Sequence, residues 1–422
     1  MKKHEDKLLI AGGGLVGLAA AILYADRFSK VELFEKRQDP LAVQGNEARS
    51  LQLVISARGW NTLRLLGFED EIRSLCLSLK GRWHHHKKEE KVFEAYSPIG
   101  ECISCISRES IYRLLTAKAR AIANVQLQFE NKFHQVDFAR KELFFSRGSN
   151  TEIKSSHYDF LIGADGVRSS IAAQLNQGGE DFHKEINVYR EISISGVNWE
   201  RDAFHYWHTK TAMIGAFPVF DGGFSLFLVH KEADFETLLQ DPTAALFSGL
   251  FPEIFSSIPE AMQLFAKAKG GILGSKSCQN WHHGNNAVVV GDAAHAVLPF
   301  MGQGLNTGLE DLFFLNQYLE NGKVREGMNL VDFENQRRPQ AEAIRQISQD
   351  QFRYLTGKYG QEEYARRIII ASKLKLSGQL PTYSACAFSL EPFSTILERE
   401  ERIKLSINKN EEDDLVGQLP QH

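Results

Sequence analysis

Glycine-rich turns that follow apolar strands mark where this sequence could bind a phosphate-bearing cofactor. The first stretch reads LLIAGGGLVGLAAAIL. Glycines at this spacing allow a tight turn (Gly12), the approach of backbone to a pyrophosphate (Gly14) and the packing of helix on strand (Gly17). A helix that starts near Leu15 and Val16 turns free N–H groups and the positive end of its dipole toward the phosphates.

A second apolar strand, Val31–Phe34, ends in Glu35, Lys36 and Arg37. Glu35 stands 21 residues after Gly14, where an acidic side chain hydrogen-bonds a ribose hydroxyl. A dinucleotide site is predicted by this combination of strand, turn, helix, second strand and terminal acid. FAD and NAD can both use such a site. The alternative is a merely glycine-rich turn.

Two later strands also end in turns that carry an aspartate. The stretch YDFLIGADGVRSS supplies Asp165, Gly166 and Arg168, and VVVGDAAHAVLPFMGQGLNTGLED supplies Gly291 and Asp292. At the carboxyl end of a parallel strand, such an aspartate can accept a hydrogen bond from a ribityl or ribose hydroxyl.

In order and spacing, these three stretches resemble the fingerprint, the Asp-Gly motif and the Gly-Asp motif of the single-component FAD-dependent aromatic hydroxylases. The resemblance covers residues 10–311, which is most of the chain. It implies bound FAD, NADPH or NADH as a transient reductant, and O₂ as co-substrate. It further implies oxygen transfer to an aromatic ring from a flavin C4a-hydroperoxide, without a general acid or base from the protein.

The same resemblance places one loop along the flavin ring. Its residues are Pro299, Phe300, Met301, Gly302, Gln303 and Gly304. We expect glycine at 302 and 304 because a Cβ would collide with the isoalloxazine. The helix that begins near Leu305 and Asn306 would point its N-terminus at the pyrimidine edge. The alternative is a structural loop that caps a helix, and His295 is expected to be packed or hydrogen-bonded.

Within that family, segments 49–59, 106–108 and 291–311 are most similar to the members that hydroxylate L-kynurenine. Arg49 and Arg108 fall where family arginines face the cofactor. With segment 106–108 as anchor, Arg82 and Tyr96 fall on the pair that grips the substrate's amino-acid carboxylate. A guanidinium binds a carboxylate bidentately and a phenol adds a third hydrogen bond. The alternative for Arg82 is a surface arginine in a polar hairpin.

Two positions depart from that pattern in an ungapped comparison. Gln351 falls where the relative has a substrate-touching asparagine, and Phe393 falls where it has a tyrosine. The pocket could therefore prefer another tryptophan-derived or anthranilate-like aromatic acid, since a site built to hydrogen-bond a group discriminates by it. A flavin-binding regulatory protein that no longer hydroxylates is a further alternative.

The run His84-His85-His86 predicts no metal site. Adjacent residues of a strand point to opposite faces, and no carboxylate or cysteine is placed to help. The charged residues that follow favour a solvated hairpin.

Composition narrows the partners further. A net charge of −4 and short basic clusters give no surface for nucleic acid. Five cysteines, an odd and sparse set, favour a reducing compartment, and with neither a signal peptide nor a membrane span we expect the cytoplasm. A small aromatic amino acid or carboxylate is the expected partner, and the sequence does not indicate an oligomeric state.

The pattern of elements predicts an α/β fold in three parts. A Rossmann-like FAD-binding domain is expected from 1–72, 102–178 and 276–328. A mostly antiparallel sheet that binds substrate is expected from 73–101 and 179–275. Residues 329–400 are expected to form a C-terminal helical lid in which Pro339 starts or kinks a helix, and 401–422 a flexible tail.

Overall fold

A computed structural model of the chain describes residues 6–42, 52–85, 91–148, 152–179, 181–234 and 249–409. The strands are β1 (Lys7–Ala11), β2 (Lys30–Phe34), β3 (Gln52–Ile55), β4 (Cys76–Leu79), β5 (Gly81–His85), β6 (Lys91–Ala95), β7 (Ile103–Ser107), β8 (Val125–Gln128), β9 (Asn131–Asp137), β10 (Glu142–Arg147), β11 (Lys154–His157), β12 (Phe160–Gly163), β13 (Asp181–Ile194), β14 (Ala203–His208), β15 (Met213–Pro218), β16 (Phe224–Lys231), β17 (Gly271–Ser277), β18 (His282–His283), β19 (Ala287–Val289), β20 (Leu319–Glu320) and β21 (Lys323–Val324). The helices are α1 (Leu15–Leu23), α2 (Ala57–Leu65), α3 (Glu69–Ser74), α4 (Arg108–Arg120), α5 (Ser170–Leu175), α6 (Pro252–Ser257), α7 (Ala261–Lys267), α8 (Asp292–His295), α9 (Gly304–Tyr318), α10 (Leu330–Leu355), α11 (Gln361–Leu376), α12 (Thr382–Phe388) and α13 (Phe393–Ser406), with a 3₁₀ turn at Pro299–Met301.

A six-stranded sheet in the order β18-β19-β12-β1-β2-β8 forms the first layer. All its neighbouring strands run parallel except the short β18. The central strands β12 and β19 are apolar throughout, and β1 is apolar after Lys7, because both faces of such a sheet are covered. The register sets Ala11 beside Gly163 and Gly163 beside Val289, so the loops after β1, β12 and β19 emerge side by side.

A seven-stranded, mostly antiparallel sheet forms the second layer, in the order β17-β13-β16-β15-β14-β5-β6. Strand β5 pairs in parallel with β14 and antiparallel with β6, which sets Arg82 directly opposite Glu94. Helices α6 and α7 cover part of one face, where Phe251 and Phe265 are buried. The other face carries aromatic side chains, including Phe204 and Phe227, toward the first layer.

The C-terminal part of the described chain is helical, and α10 packs against α9 and α13. Pro339 lies inside the 26-residue helix α10 and does not start it. Helix α13 continues to Ser406, so the tail expected from residue 401 does not begin there, and 410–422 lie outside the described residues. Among the helices described, none combines the length and the apolar character needed to span a bilayer.

Buried charged groups join the end of the parallel sheet to α10. Arg337 Nε donates to Asp311 Oδ1 (2.9 Å), and its Nη2 lies 2.8 Å from Glu310 Oε2. Asp311 Oδ2 also accepts from the Gly291 N–H (2.8 Å) and lies 2.6 Å from His295 Nε2. Burial raises the pKa of Asp311, but His295 and Arg337 lower it overall, so the carboxylate stays ionised. Each buried carboxylate therefore has an arginine partner.

We expect Arg337→Met to lower the free energy of unfolding by about 3–5 kcal/mol, because it leaves two buried carboxylates with fewer partners. The neighbouring Arg338 is the matched control: its pair with Glu334 is exposed on the arginine side (45%), and Arg338→Met should cost less than about 1 kcal/mol. Chemical denaturation of both variants measures the difference. Equal losses would contradict the role given to the buried network.

Candidate active site

A cleft of about 1030 Å³ separates the carboxyl edge of the parallel sheet from the aromatic face of the second sheet. The sequence-predicted residues that line it are Gly12, Gly14, Leu15, Val16, Glu35, Lys36, Arg37, Arg82, Tyr96, Arg108, Asp165, Gly166, Arg168, Asp292, Pro299, Phe300, Gly302, Gly304 and Leu305. The predicted residues outside this lining are Gly17, Gly291, Met301, Gln303, Asn306, Gln351 and Phe393. Arg49 lies outside the described residues.

The first glycine turn is fixed by close backbone contacts. Gly12 has φ +103°, and a Cβ there would lie 2.3 Å from the Ala164 carbonyl oxygen, so only glycine fits. A Cβ on Gly17 would lie 1.9 Å from the Gly12 oxygen, which explains the tight packing of α1 on the turn. A Cβ on Gly14 would have no atom within 4 Å, so the N-terminus of α1 faces the open cleft.

Glu35 follows β2 directly and is almost fully buried. Its Oε2 accepts from the Gly13 N–H (2.8 Å) and its Oε1 accepts from the Arg37 N–H (2.9 Å). Because a carboxylate has about four acceptor positions, these bonds fix the side chain and leave capacity for a ribose hydroxyl.

Two aspartates stand at the ends of the other strands. Asp165 Oδ2 accepts from the Ser170 N–H (2.8 Å), whereas its Oδ1 is buried without a hydrogen-bond partner among the described residues. Asp292 lines the cleft with an exposed side chain. The surrounding protein reduces the hydration of both carboxyls and raises their pKa, in Asp292 despite the nearby charges of His295 and Arg108. Both groups would be stabilised by hydroxyl donors from a ligand.

The loop at 299–304 differs in detail from the expectation. Gly302 has φ +64°, and its Cβ would lie 2.1 Å from Val54 Cγ2, so glycine is required there by the protein itself. At Gly304 a Cβ would lie 3.8 Å from Asp292 Oδ1 and 4.0 Å from Val297 Cγ2, which are ordinary van der Waals contacts, so the protein itself does not require glycine there. Helix α9 begins at Gly304, close to the expected start, and turns its N-terminus into the cleft.

Asn306 is a structural residue of this loop. Its Oδ1 accepts from the Ser56 N–H (2.9 Å), and its Nδ2 donates to the carbonyls of Val54 (2.9 Å) and Gly302 (2.7 Å). Gln303 and Met301 are buried as well. The Asn306 side chain holds the loop against β3, Gln303 Oε1 accepts from Ser56 Oγ (3.2 Å), and Met301 packs with Ile344 and Ile347 of α10. None of the three residues lines the cleft, and their contact with the cofactor stays a prediction.

These observations fit FAD. The glycine turn and the start of α1 can receive the pyrophosphate, and Glu35 can accept from a ribose. The unpaired oxygen of Asp165 and the exposed carboxyl of Asp292 can accept from hydroxyl donors, which a ribityl chain has. The part of the cleft lined by Gly304 at the start of α9 can accommodate a flat ring.

Beyond this region, the cleft becomes apolar and aromatic. Phe204 and Phe217 have ring centroids 4.4 Å apart, and Phe227, Met213 and Phe300 complete the walls. Such a slot suits a flat aromatic ligand, whose burial releases ordered water and gains dispersion contacts.

At its far end the cleft reaches a buried cation. Arg82 on β5 is 4% exposed, and its fork is occupied by Glu94 on β6, with Nε donating to Oε2 (2.8 Å) and Nη2 to Oε1 (2.8 Å). Burial alone would raise the pKa of Glu94, but Arg82 and His84 lower it well below its usual range. Arg82 is thus no surface arginine, and it already holds a carboxylate.

Tyrosines surround this guanidinium. The buried Tyr96 ring stacks on Tyr383 of α12 at 5.2 Å, and Arg82 lies over the Tyr383 ring at 5.0 Å. Sequence reasoning missed both Tyr383 and Glu94. Glu94 could have been found, because a β5–β6 hairpin sets position 94 opposite position 82; Tyr383 comes from a distant helix and left no local signal.

Of the histidine run, His84 and His85 are not solvated, which corrects the expectation for these two residues, and His86 lies outside the described residues. His84 is buried, with Nε2 2.7 Å from Glu94 Oε2 and a hydrogen bond to the Tyr206 hydroxyl. His85 stacks on Trp207 at 4.0 Å, and burial together with His205 lowers its pKa to about 3. Both rings find partners on β14, a neighbour that the local sequence does not reveal.

Gln351 and Phe393 are not cleft residues. Gln351 Oε1 accepts from Arg367 Nη2 (2.6 Å), so its side chain turns toward α11. Phe393 is fully buried under Arg58, whose guanidinium lies 3.8 Å from the ring centroid. The ungapped comparison therefore assigned both positions wrongly as substrate contacts, and it is Leu355 and Tyr383 that line the cleft from this region.

Comparisons with known proteins agree with this geometry. Residues 5–348 match the family described as FAD binding domain. Kynurenine 3-monooxygenase of Christiangramia forsetii is 31% identical over 412 residues, 94% of this chain and 92% of that protein. The enzyme of the same name from Stenotrophomonas maltophilia is 30% identical over 95% of this chain and 91% of that protein.

Solved structures share the fold. P. aeruginosa PqsL in complex with 2-aminobenzoylacetate has a TM-score of 0.68 at 18% identity, over 82% of this chain and 95% of that one. A crystal structure of 2-methyl-3-hydroxypyridine-5-carboxylic acid oxygenase has a TM-score of 0.66 at 22% identity, over 83% and 93%.

We expect Asp165→Ala to weaken FAD retention by about 1–3 kcal/mol, because it removes a buried acceptor placed for a cofactor hydroxyl. The control is Asp159→Ala at the opposite end of β12, where the carboxylate accepts only from the Lys7 backbone N–H among the bonds described (2.8 Å). Flavin release during dialysis, followed by absorbance, measures both. Equal retention in the two variants would exclude this contact.

Proposed function

The chain belongs to the FAD-binding-domain family, and we propose that it hydroxylates an aromatic amino acid, most specifically L-kynurenine to 3-hydroxykynurenine, with NADPH as reductant. The observation that carries the proposal is the position of Arg82. A buried cation terminates an apolar, aromatic slot that opens onto the cofactor side of the cleft.

When bound, FAD takes a hydride from NAD(P)H and, with O₂, supplies an electrophilic oxygen to the ring. The protein's own residues position the substrate's ring, exclude water and hold the substrate's polar head. Phe204, Phe217 and Phe227 form an apolar wall that keeps water away from the ring. Arg82 and Tyr96 fix the polar head, so that the ring lies in one orientation. The aniline nitrogen of kynurenine activates its own ring, so no general base is assigned.

Another aromatic acid with a similar head is the second candidate. Gln351 and Phe393 no longer support it, since neither lines the cleft. Glu94 does bear on it, because a substrate carboxylate that binds Arg82 would lie near the carboxylate that already bonds to Nε and Nη2.

The direct test is oxidation of NADPH by the purified flavoprotein with and without L-kynurenine, followed by mass analysis. We expect stimulated oxidation and a product that has gained one oxygen atom. NADH run in parallel identifies the preferred reductant. Stimulated oxidation that yields peroxide and no hydroxylated product would mean that kynurenine only mimics the substrate, and no stimulation would reject kynurenine.

Arg82→Met should weaken kynurenine binding by about 2–5 kcal/mol, because it removes a buried cation that pairs with a carboxylate. Folding should survive, since Glu94 is half-exposed (48%) and can be hydrated when its partner is gone. The control is Arg120→Met at the end of α4, which breaks a pair with Asp39 that is exposed on the arginine side. Calorimetric titration of both proteins gives the comparison, and an unchanged affinity in Arg82→Met would refute the assigned role.

A further inference from the structure

Glu94 is bonded to Arg82, the residue that is expected to bind the substrate's carboxylate. Arg82 Nε and Nη2 are both bonded to it, and His84 Nε2 lies 2.7 Å from Glu94 Oε2. We propose that Glu94 sets the charge of the accepted head group, so that the site selects a zwitterionic amino acid over a plain aromatic carboxylate. The inference rests on the proposed function and decides between its two candidate substrate classes.

The charges at this end of the cleft are balanced before a substrate arrives. Arg82 is paired with Glu94, and the next cation, Arg367 of α11, lies 3.5 Å from Asp350 Oδ2 and donates to Gln351. The hydroxyls of Tyr96 and Tyr383 add polarity without charge, since burial raises the pKa of both. The arginine therefore does not offer an uncompensated positive charge.

A plain carboxylate would disturb this balance. It would bind Arg82 while Glu94 keeps the Nε and Nη2 contacts, which would place two anions around one buried cation. Like charges a few ångströms apart repel, and the partial exposure of Glu94 weakens this repulsion without removing it. A zwitterion carries its ammonium on the carbon next to its carboxylate, so the cation arrives within reach of Glu94 and the balance is kept.

The alternative role for Glu94 is purely structural, to compensate a buried arginine. It accounts for a negative charge on β6, but it predicts no effect on which ligand binds. Lys91 of the same strand makes another ion pair, with Glu200 at 2.5 Å, that is exposed on both sides and does not touch the cleft. Removal of that pair is therefore a control for the loss of one carboxylate and one ion pair at this sheet edge.

The experiment measures binding without turnover. Calorimetric titration of the FAD-loaded protein, without NAD(P)H, compares L-kynurenine with its desamino analogue, which keeps the aromatic ketone and the carboxylate but lacks the ammonium. We expect the unmodified protein to bind kynurenine between about tenfold and a hundredfold more tightly. Glu94→Gln should tighten the analogue and remove most of this preference, whereas Glu200→Gln should leave it unchanged.

Glu94→Asp separates charge from shape. It keeps the anion with a shorter side chain, so the preference for kynurenine should persist if charge is the cause. An unchanged preference in Glu94→Gln, or equal losses in the Gln and Asp variants, would overturn the proposal. If both ligands bind the unmodified protein equally and kynurenine is still hydroxylated, the proposal for Glu94 is overturned and the proposed function stands. If neither ligand binds, both are overturned.

Discussion

The close approach of three loops at one edge of the parallel sheet is the constraint on which the rest of the structure depends. The register brings Ala11, Gly163 and Val289 side by side, and the chain after each must turn away without filling the space in front. Gly12 turns in a left-handed conformation against the Ala164 carbonyl, where any side chain would clash. The open space that results is the cofactor end of the cleft, bordered by Asp165 and Asp292.

A second constraint holds this edge in place. Asp311 accepts from the Gly291 N–H and is paired with His295 and Arg337, so the loop after β19 is tied to helix α10. Removing charges from water is costly and is repaid only when every charge has partners. The helices that close the cleft and the loop that borders the cofactor are therefore mechanically linked through one buried ionic network.

Local sequence predicted which residues gather where the parallel strands end, whereas it left much of the Arg82 end of the cleft undetected. Gly12, Gly14, Glu35 and Asp292 were found because each follows a strand whose apolar pattern is visible, and strand ends of a parallel sheet converge. The head-group end is built from β5, β6, β14 and α12, which are far apart in sequence. Tyr383 and the partners of His84 could not be read from neighbouring residues, and an ungapped comparison misplaced Phe393.

The central claim is that a substrate's aromatic ring lies in the aromatic slot with its head at Arg82. A crystal structure of the FAD-loaded protein with L-kynurenine tests it most directly. The account predicts the kynurenine carboxylate within hydrogen-bonding distance of Arg82 and Tyr96, its ammonium on the Glu94 side, and its ring between Phe204 and the flavin. A ligand bound elsewhere, with the Arg82–Glu94 pair undisturbed and the slot empty, would contradict it.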